Sequence, residues 1–202
     1  MSRREEKAAA TRSQFMEATF QCLVEMGYHG TTTVAVCERA KLARGTMLHH
    51  FPTKQALVLA VLEDVLTRRV NDFRNELAGA NHSDLPGLVE HLWVALRGPT
   101  FSAWLELAVA SRTDPVLRAE FHDVMQRFES LVTLTVQAVL PPDTTGDLDP
   151  TLVVSLVFSS LNGLALDLLQ VDESIVESKV QLLISWVSVV AESIKGKSAA
   201  TQ

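Results

Sequence analysis

Cysteine, glycine, proline and tyrosine are all scarce in this chain of 202 residues. The two cysteines, Cys22 and Cys37, are too few for a disulfide framework and have no metal-ligand spacing, so both are expected as small core residues. Nine glycines and seven prolines fall at punctuation points, and no run shows sustained period-two alternation, so strands find little support. The longest apolar run, 152–169, is broken by Ser155, Ser159, Ser160, Asn162 and Asp167, so it reads as a buried helix and no membrane partner is expected. Residues 1–12 are charged and Ala-rich with no apolar segment after them, so no signal peptide and a cytoplasmic location are expected.

Positive charge is also in deficit. Against 18 Lys and Arg stand 24 Asp and Glu, a net charge of −6, which argues against a nonspecific nucleic-acid coat or a basic membrane-surface protein. Catalytic signatures are absent: no Gly-x-Ser-x-Gly elbow, phosphate loop, dinucleotide fingerprint or helical His pair with metal spacing. No enzyme activity, catalytic residue, metal or cofactor is expected. Glu106, Arg112 and Asp114 are read as ion pairs or helix caps.

What is present is helical pattern. Hydrophobic residues make up 47% of the chain, and the apolar spacing predicts an all-α fold of about nine helices. They are placed near 8–26, 33–40, 44–50, 53–79, 84–97, 101–112, 115–140, 149–170 and 174–195. Asp114-Pro115 and Asp149-Pro150 each offer an N-cap followed by a first-turn proline, and Ser174 with Glu177 reads as a capping box. The first helix places Phe15, Ala18, Cys22, Leu23 and Met26 on one stripe, and the second buries Val36 and Ala40. The tail after Lys195 is expected to fray.

The second and third helices are short and tightly connected, as in a helix-turn-helix. Charge divides at the same place. Residues 1–60 carry Arg3, Arg4, Lys7, Arg12, Arg39, Lys41, Arg44 and Lys54 against Glu5, Glu6, Glu17, Glu25 and Glu38, a balance of +3 that leaves −9 for the remainder. A basic head on an acidic body suits a phosphate-contacting module. The Arg3-Arg4-Lys7 arm, interrupted by Glu5 and Glu6, is expected to be a disordered, solvated tail.

Three runs carry a resemblance. Gly27-Tyr28-His29-Gly30-Thr31-Thr32, then Val36-Cys37-Glu38-Arg39-Ala40, then Arg44-Gly45-Thr46-Met47-Leu48-His49-His50-Phe51-Pro52-Thr53-Lys54-Gln55-Ala56-Leu57 resemble, in order and spacing, the DNA-binding head of the tetracycline-repressor (TetR) family over roughly residues 12–62. The resemblance implies a helix-turn-helix domain over 1–52 and a helical ligand-binding and dimerisation domain over 53–202. It also implies site residues. Thr32 would cap the second helix and, with the N–H groups there, hold a phosphate. Arg44, Gly45 and Thr46 would open the recognition helix, with Arg44 reaching guanine O6/N7 and Gly45 allowing close approach. His49 would face the groove wall and His50 a phosphate, while Lys54 matches a phosphate-anchoring lysine.

Three positions depart from the family pattern. Lys41 stands where a turn glycine is usual, so a left-handed backbone there would cost about 1 kcal/mol; its charge would add some attraction for the DNA backbone. Ala43 replaces a Ser cap, removing an acceptor from the recognition helix. Leu48 replaces a Tyr, deleting a hydroxyl–phosphate contact.

The last two helices carry apolar seams: Leu152, Leu156, Ser159, Gly163 and Leu166 on one, and Val176, Val180, Leu183, Val187, Val190 and Ile194 on the other. Further apolar residues off those seams, including Val157, Leu164, Leu168, Trp186 and Val189, call for more than one packing partner, which a four-helix homodimer interface supplies. The family also implies a ligand between the middle helices, and Leu88, His91, Leu92, Trp104, Ala108, Met125, Phe128, Phe158 and Asn162, beside Phe101, are the candidates to line an apolar pocket. The expected function is therefore a dimeric regulator, a repressor released from double-stranded, pseudo-palindromic operator DNA by a small, mainly apolar effector. The rival readings are a helical hydrophobe carrier and a ligand-independent DNA-architectural protein.

Overall fold

The computed structural model describes residues 2–79, 85–139 and 149–200. Among them are nine α-helices and no strand: α1 (Arg3–Gly30), α2 (Thr33–Ala40), α3 (Arg44–His50), α4 (Lys54–Gly79), α5 (Leu85–Leu96), α6 (Pro99–Ser111), α7 (Pro115–Val139), α8 (Pro150–Asp167) and α9 (Glu173–Ala200). The predicted proline starts hold at α7 and α8. Asp114 Oδ1 accepts from the N–H groups of Val116 and Leu117, both at 3.0 Å, satisfying donors that have no partner inside α7.

Several expectations are corrected. Residues 3–7 are helical, because Ser2 and Glu5 form a capping box: Ser2 N–H donates to Glu5 Oε2 at 2.8 Å and Glu5 N–H to Ser2 Oγ at 3.3 Å. The stripe on α1 ends before Met26, which is exposed, since Gly27 breaks the helical backbone with φ 69° and ψ 179°. Ser174 and Glu177 form no capping box. The helix α9 starts at Glu173, and the Glu177 carboxylate is taken by Trp93 Nε1 at 3.1 Å and by the Arg97 guanidinium. A cation in reach is a stronger partner for a carboxylate than a helix-end amide. The helical backbone also continues past Lys195.

The chain packs as two compact units, Met1–Arg68 with Pro99–Phe128, and Arg69–Gly98 with Glu129–Gln202. A cut at residue 52 separates the helix-turn-helix in sequence, but α6 and the start of α7 pack with it. In the first unit α1 lies against α2, α3 and α6. Phe15, Leu23, Val36, Met47, Leu57, Leu62, Leu107 and Leu117 are fully buried in one core. Each such side chain contributes roughly 1.5–3 kcal/mol, so α3 is held firmly despite its seven residues.

In the second unit α5 packs on α8 and α9, and α8 on α9. Val89, Trp93, Leu161, Ala165, Val176 and Val180 are buried there. Arg97 also reaches Glu173 at 2.6 Å, and Lys179 joins α9 to Asp167 at 2.5 Å. No helix among the described residues is long and apolar enough to cross a membrane.

Candidate nucleic-acid interface

The α2–α3 turn is built by local backbone chemistry. Thr32 Oγ1 caps α2 by accepting from Ala35 N–H at 3.1 Å. At the other end Lys41 adopts the left-handed conformation, φ 54° and ψ 38°, so the strained turn expected of a lysine at this position is present. Leu42 N–H then donates to Cys37 O at 3.1 Å, and Gln14 Nε2 to Ala40 O at 2.8 Å, satisfying carbonyls that the end of a helix leaves open. Ala43 gives α3 no side-chain cap.

Around that turn the head is braced from within. Arg39 donates to Glu25, and the bond holds the Glu25 carboxyl below its usual range. The Arg12 guanidinium lies 5.1 Å over the Phe51 ring at the end of α3. Met47 is fully buried, with Cys37 Sγ 3.9 Å from its sulfur. These contacts fix which face of α3 points outward.

The outward face carries Arg44, Gly45, Thr46, Leu48 and His49; Thr32 and Lys41 are exposed beside it, and His50 is half-buried with its ring 5.5 Å from that of His49. A Cβ added at Gly45 would meet nothing within 4 Å. Nothing among the described residues therefore demands glycine there. A helical glycine costs roughly 0.5–1 kcal/mol against alanine, a cost that makes sense where an external body approaches the backbone.

Lys54, expected to anchor a phosphate, has partners within the head. Its Nζ donates to Tyr28 O at 2.5 Å and lies 3.9 Å above the Tyr28 ring, and burial lowers the ammonium's pKa. Tyr28 N–H in turn donates to Glu106 Oε2 at 2.8 Å. Both backbone polar groups of Tyr28 are thus engaged by side chains from α4 and α6. In the sequence Glu106 reads only as an ion pair or cap, and nothing near it signals a backbone partner in α1.

The candidate pocket residues divide between the units. In the first, Trp104, Met125 and Phe128 pack, partly buried, on its core, with Phe101 5.4 Å from Trp104 and Ala108 half-buried. The Trp104 Nε1–H is buried without an acceptor among the described residues. In the second, Leu92 is buried, and His91, Phe158 and Asn162 are half-buried; His91 Nδ1 lies 2.9 Å from Gly87 O, and Asn162 Nδ2 donates to Phe158 O at 2.9 Å. The Leu88 side chain lies outside the described residues.

The candidate dimer residues also sort by exposure. On α8, Leu152, Leu156, Ser159, Gly163 and Leu166 all face outward, Leu152 and Leu156 at 69% and 70% exposure. On α9 the seam is corrected. Val176 and Val180 are buried inside the unit, where α9 packs on α5 and α8, Leu183 and Val187 are half-buried, and Val190 is exposed. Among the described side chains of α9, the exposed large apolar residues are Ile175, Leu182, Trp186, Val189 and Val190. The Ile194 side chain lies outside the described residues.

A helix-turn-helix braced by its own core and presenting a basic, glycine-opened helix is the head of a DNA-binding transcriptional regulator. Residues 15–61 match the family model described as bacterial regulatory proteins, tetR family. Over 162 residues the chain is 30% identical to the HTH-type transcriptional regulator CymR of Pseudomonas putida, covering 79% of this chain and 80% of that one. It is 32% identical over 122 residues to the HTH-type transcriptional repressor AcnR of Corynebacterium glutamicum, covering 58% of this chain and 60% of that one. The fold also matches the crystal structure of the regulator FadR from Bacillus subtilis in complex with stearoyl-CoA, with a TM-score of 0.64 at 15% identity over 86% of this chain and 97% of that one. The chain belongs to the TetR family of transcriptional regulators.

Proposed function

We propose that this regulator is a homodimeric repressor that leaves a pseudo-palindromic operator when a small, mainly apolar effector binds. The outward face of α3 is the observation that carries this proposal: Arg44, Thr46 and His49 are exposed around a glycine whose missing side chain faces open space. Arg44 offers a bidentate donor pair to guanine O6/N7, and Thr32, Lys41 and His50 flank it toward phosphates. Lys54 serves by holding Tyr28. Two copies of α3 must sit about 34–36 Å apart, or a multiple of that, to enter successive major grooves. The exposed leucines of α8 and Trp186 of α9 supply the apolar surface for the second copy.

The unpartnered Trp104 N–H supports an effector. A buried donor without an acceptor costs about 1–3 kcal/mol, and an effector that carries an oxygen acceptor on an apolar body would recover that cost. FadR, which shares the fold, is itself seen with stearoyl-CoA, an acyl chain with a polar head. For release, the effector must favour the DNA-incompetent conformation, and a coupling of about 1–3 kcal/mol weakens DNA binding 5- to 150-fold.

The test is selection of duplexes from a randomised pool by the full chain, followed by titration of long-chain acyl thioesters and carboxylates into the selected complex. Enrichment of a two-fold symmetric sequence, and its release by an effector that quenches Trp104 fluorescence (read against Trp104→Phe), is the expected result. A pool that yields no symmetric sequence contradicts the operator reading. An operator complex that none of these effectors weakens contradicts release.

A further inference from the structure

We infer that Leu48 reads a thymine 5-methyl group in each operator half-site, and so sets part of the sequence that this regulator selects. The inference rests on the DNA-binding reading above and deepens it. Leu48 is the one large apolar side chain of α3 left exposed, at 44%, while its neighbour Met47 is fully buried. At 100° per residue, Leu48 lies about 40° around the helix from Arg44 and about 60° from Gly45. It therefore shares the open side of the helix with the arginine and with the glycine that meets nothing within 4 Å.

Chemistry narrows what a leucine on that face can touch. It offers no hydrogen bond, so pressing it on a phosphate oxygen or a base-edge donor would strip water from that group without replacing it. The major groove has one apolar group of its own, the thymine C5-methyl. Packing on that methyl removes apolar surface from water on both partners. The register is also suitable. Residues 44 and 48 are about 6 Å apart along the helix axis, close to two base-pair steps of about 3.4 Å. A guanine held by Arg44 thus places Leu48 over a base pair about two steps away.

The experiment uses the full chain and the duplex selected from the randomised pool. Each half-site thymine is replaced singly by deoxyuridine, which deletes only the methyl, and affinity is read by fluorescence anisotropy for the wild type and Leu48→Ala. At one thymine position the wild type should lose about four-fold in affinity, the value of one buried methyl-sized group, and Leu48→Ala should lose less than about 1.5-fold at that position. Contact with deoxyribose would be indifferent to the change. Wild-type affinity unchanged at every deoxyuridine, or a loss that persists in Leu48→Ala, overturns the inference while leaving DNA binding intact. A pool that enriches no sequence overturns the DNA-binding reading itself, and this inference with it. Because Leu48 is exposed, the variant should keep the wild-type melting transition by circular dichroism.

Discussion

The Glu106 carboxylate accepts the Tyr28 N–H at 2.8 Å, from the space that a side chain at position 27 would occupy. A Cβ on Gly27 would lie 2.6 Å from Glu106 Oε2, and the backbone there, φ 69° and ψ 179°, belongs to a region that is essentially reserved for glycine. The kink in α1, the carboxylate of α6 and the Lys54 ammonium on Tyr28 O form one joint.

This joint gives the first expected result. Glu106→Ala leaves a part-buried N–H without its acceptor and should cost about 1–3 kcal/mol in urea melts at fixed protein concentration. Glu106→Gln keeps an acceptor oxygen and should recover most of that loss. Gly27→Ala should cost about 1–3 kcal/mol for its backbone alone, and Glu106→Ala in the same chain removes the clash but leaves the backbone strain. Strict additivity of the two substitutions would contradict the joint.

The turn between α2 and α3 carries removable strain. Lys41→Gly should stabilise the chain by about 1 kcal/mol, and Ala43→Ser should add about 1 kcal/mol by capping α3. If Lys41 meets a phosphate, Lys41→Gly should also lower the slope of log affinity against log salt by about 0.9. Thermal melts and salt titrations read the two effects separately.

The sequence made the head legible because its motif spacing and its turn chemistry point the same way: Thr32 caps α2, Lys41 is left-handed and Asp114 caps α7. It was less informative where one residue had two suitors. Glu177 could cap α9 locally or pair across to Arg97, and periodicity cannot show that Arg97 lies in reach. Val176 and Val180 belong to an apolar seam on any helical wheel, but only the packing of α9 on α5 and α8 shows which part of the seam is already covered. Glu106 is invisible in the same way, since its partner is a backbone N–H 78 residues away.

Exposure separates two kinds of apolar substitution. Leu156→Glu, on the open face of α8, should convert a two-chain species to one chain in light scattering while leaving helicity unchanged. Val180→Ala, inside the unit, should instead lower stability by on the order of 2 kcal/mol and leave the mass unchanged at concentrations where the fold persists. An L156E chain that keeps the two-chain mass would place the interface elsewhere.

Cys22 and Cys37 are buried, and burial raises both thiols above their ordinary pKa, Arg44's charge opposing this only partly at Cys37. Thiolate is the reactive form, so native protein near pH 8 should react slowly with a disulfide-exchange reagent, and urea should release both thiols together with the unfolding transition. Fast labelling of the native chain would contradict the packed core of the head.

The most direct test of the account is the affinity of the wild type and Arg44→Ala for the selected operator and for a scrambled duplex at the same salt. Loss of a bidentate guanine contact, worth about 1–3 kcal/mol, predicts a 5- to 150-fold drop on the operator and a much smaller change on the scrambled duplex. Equal affinity of the two proteins for the operator, or no preference of the wild type for operator over scrambled DNA, would contradict the claim that α3 reads DNA through Arg44.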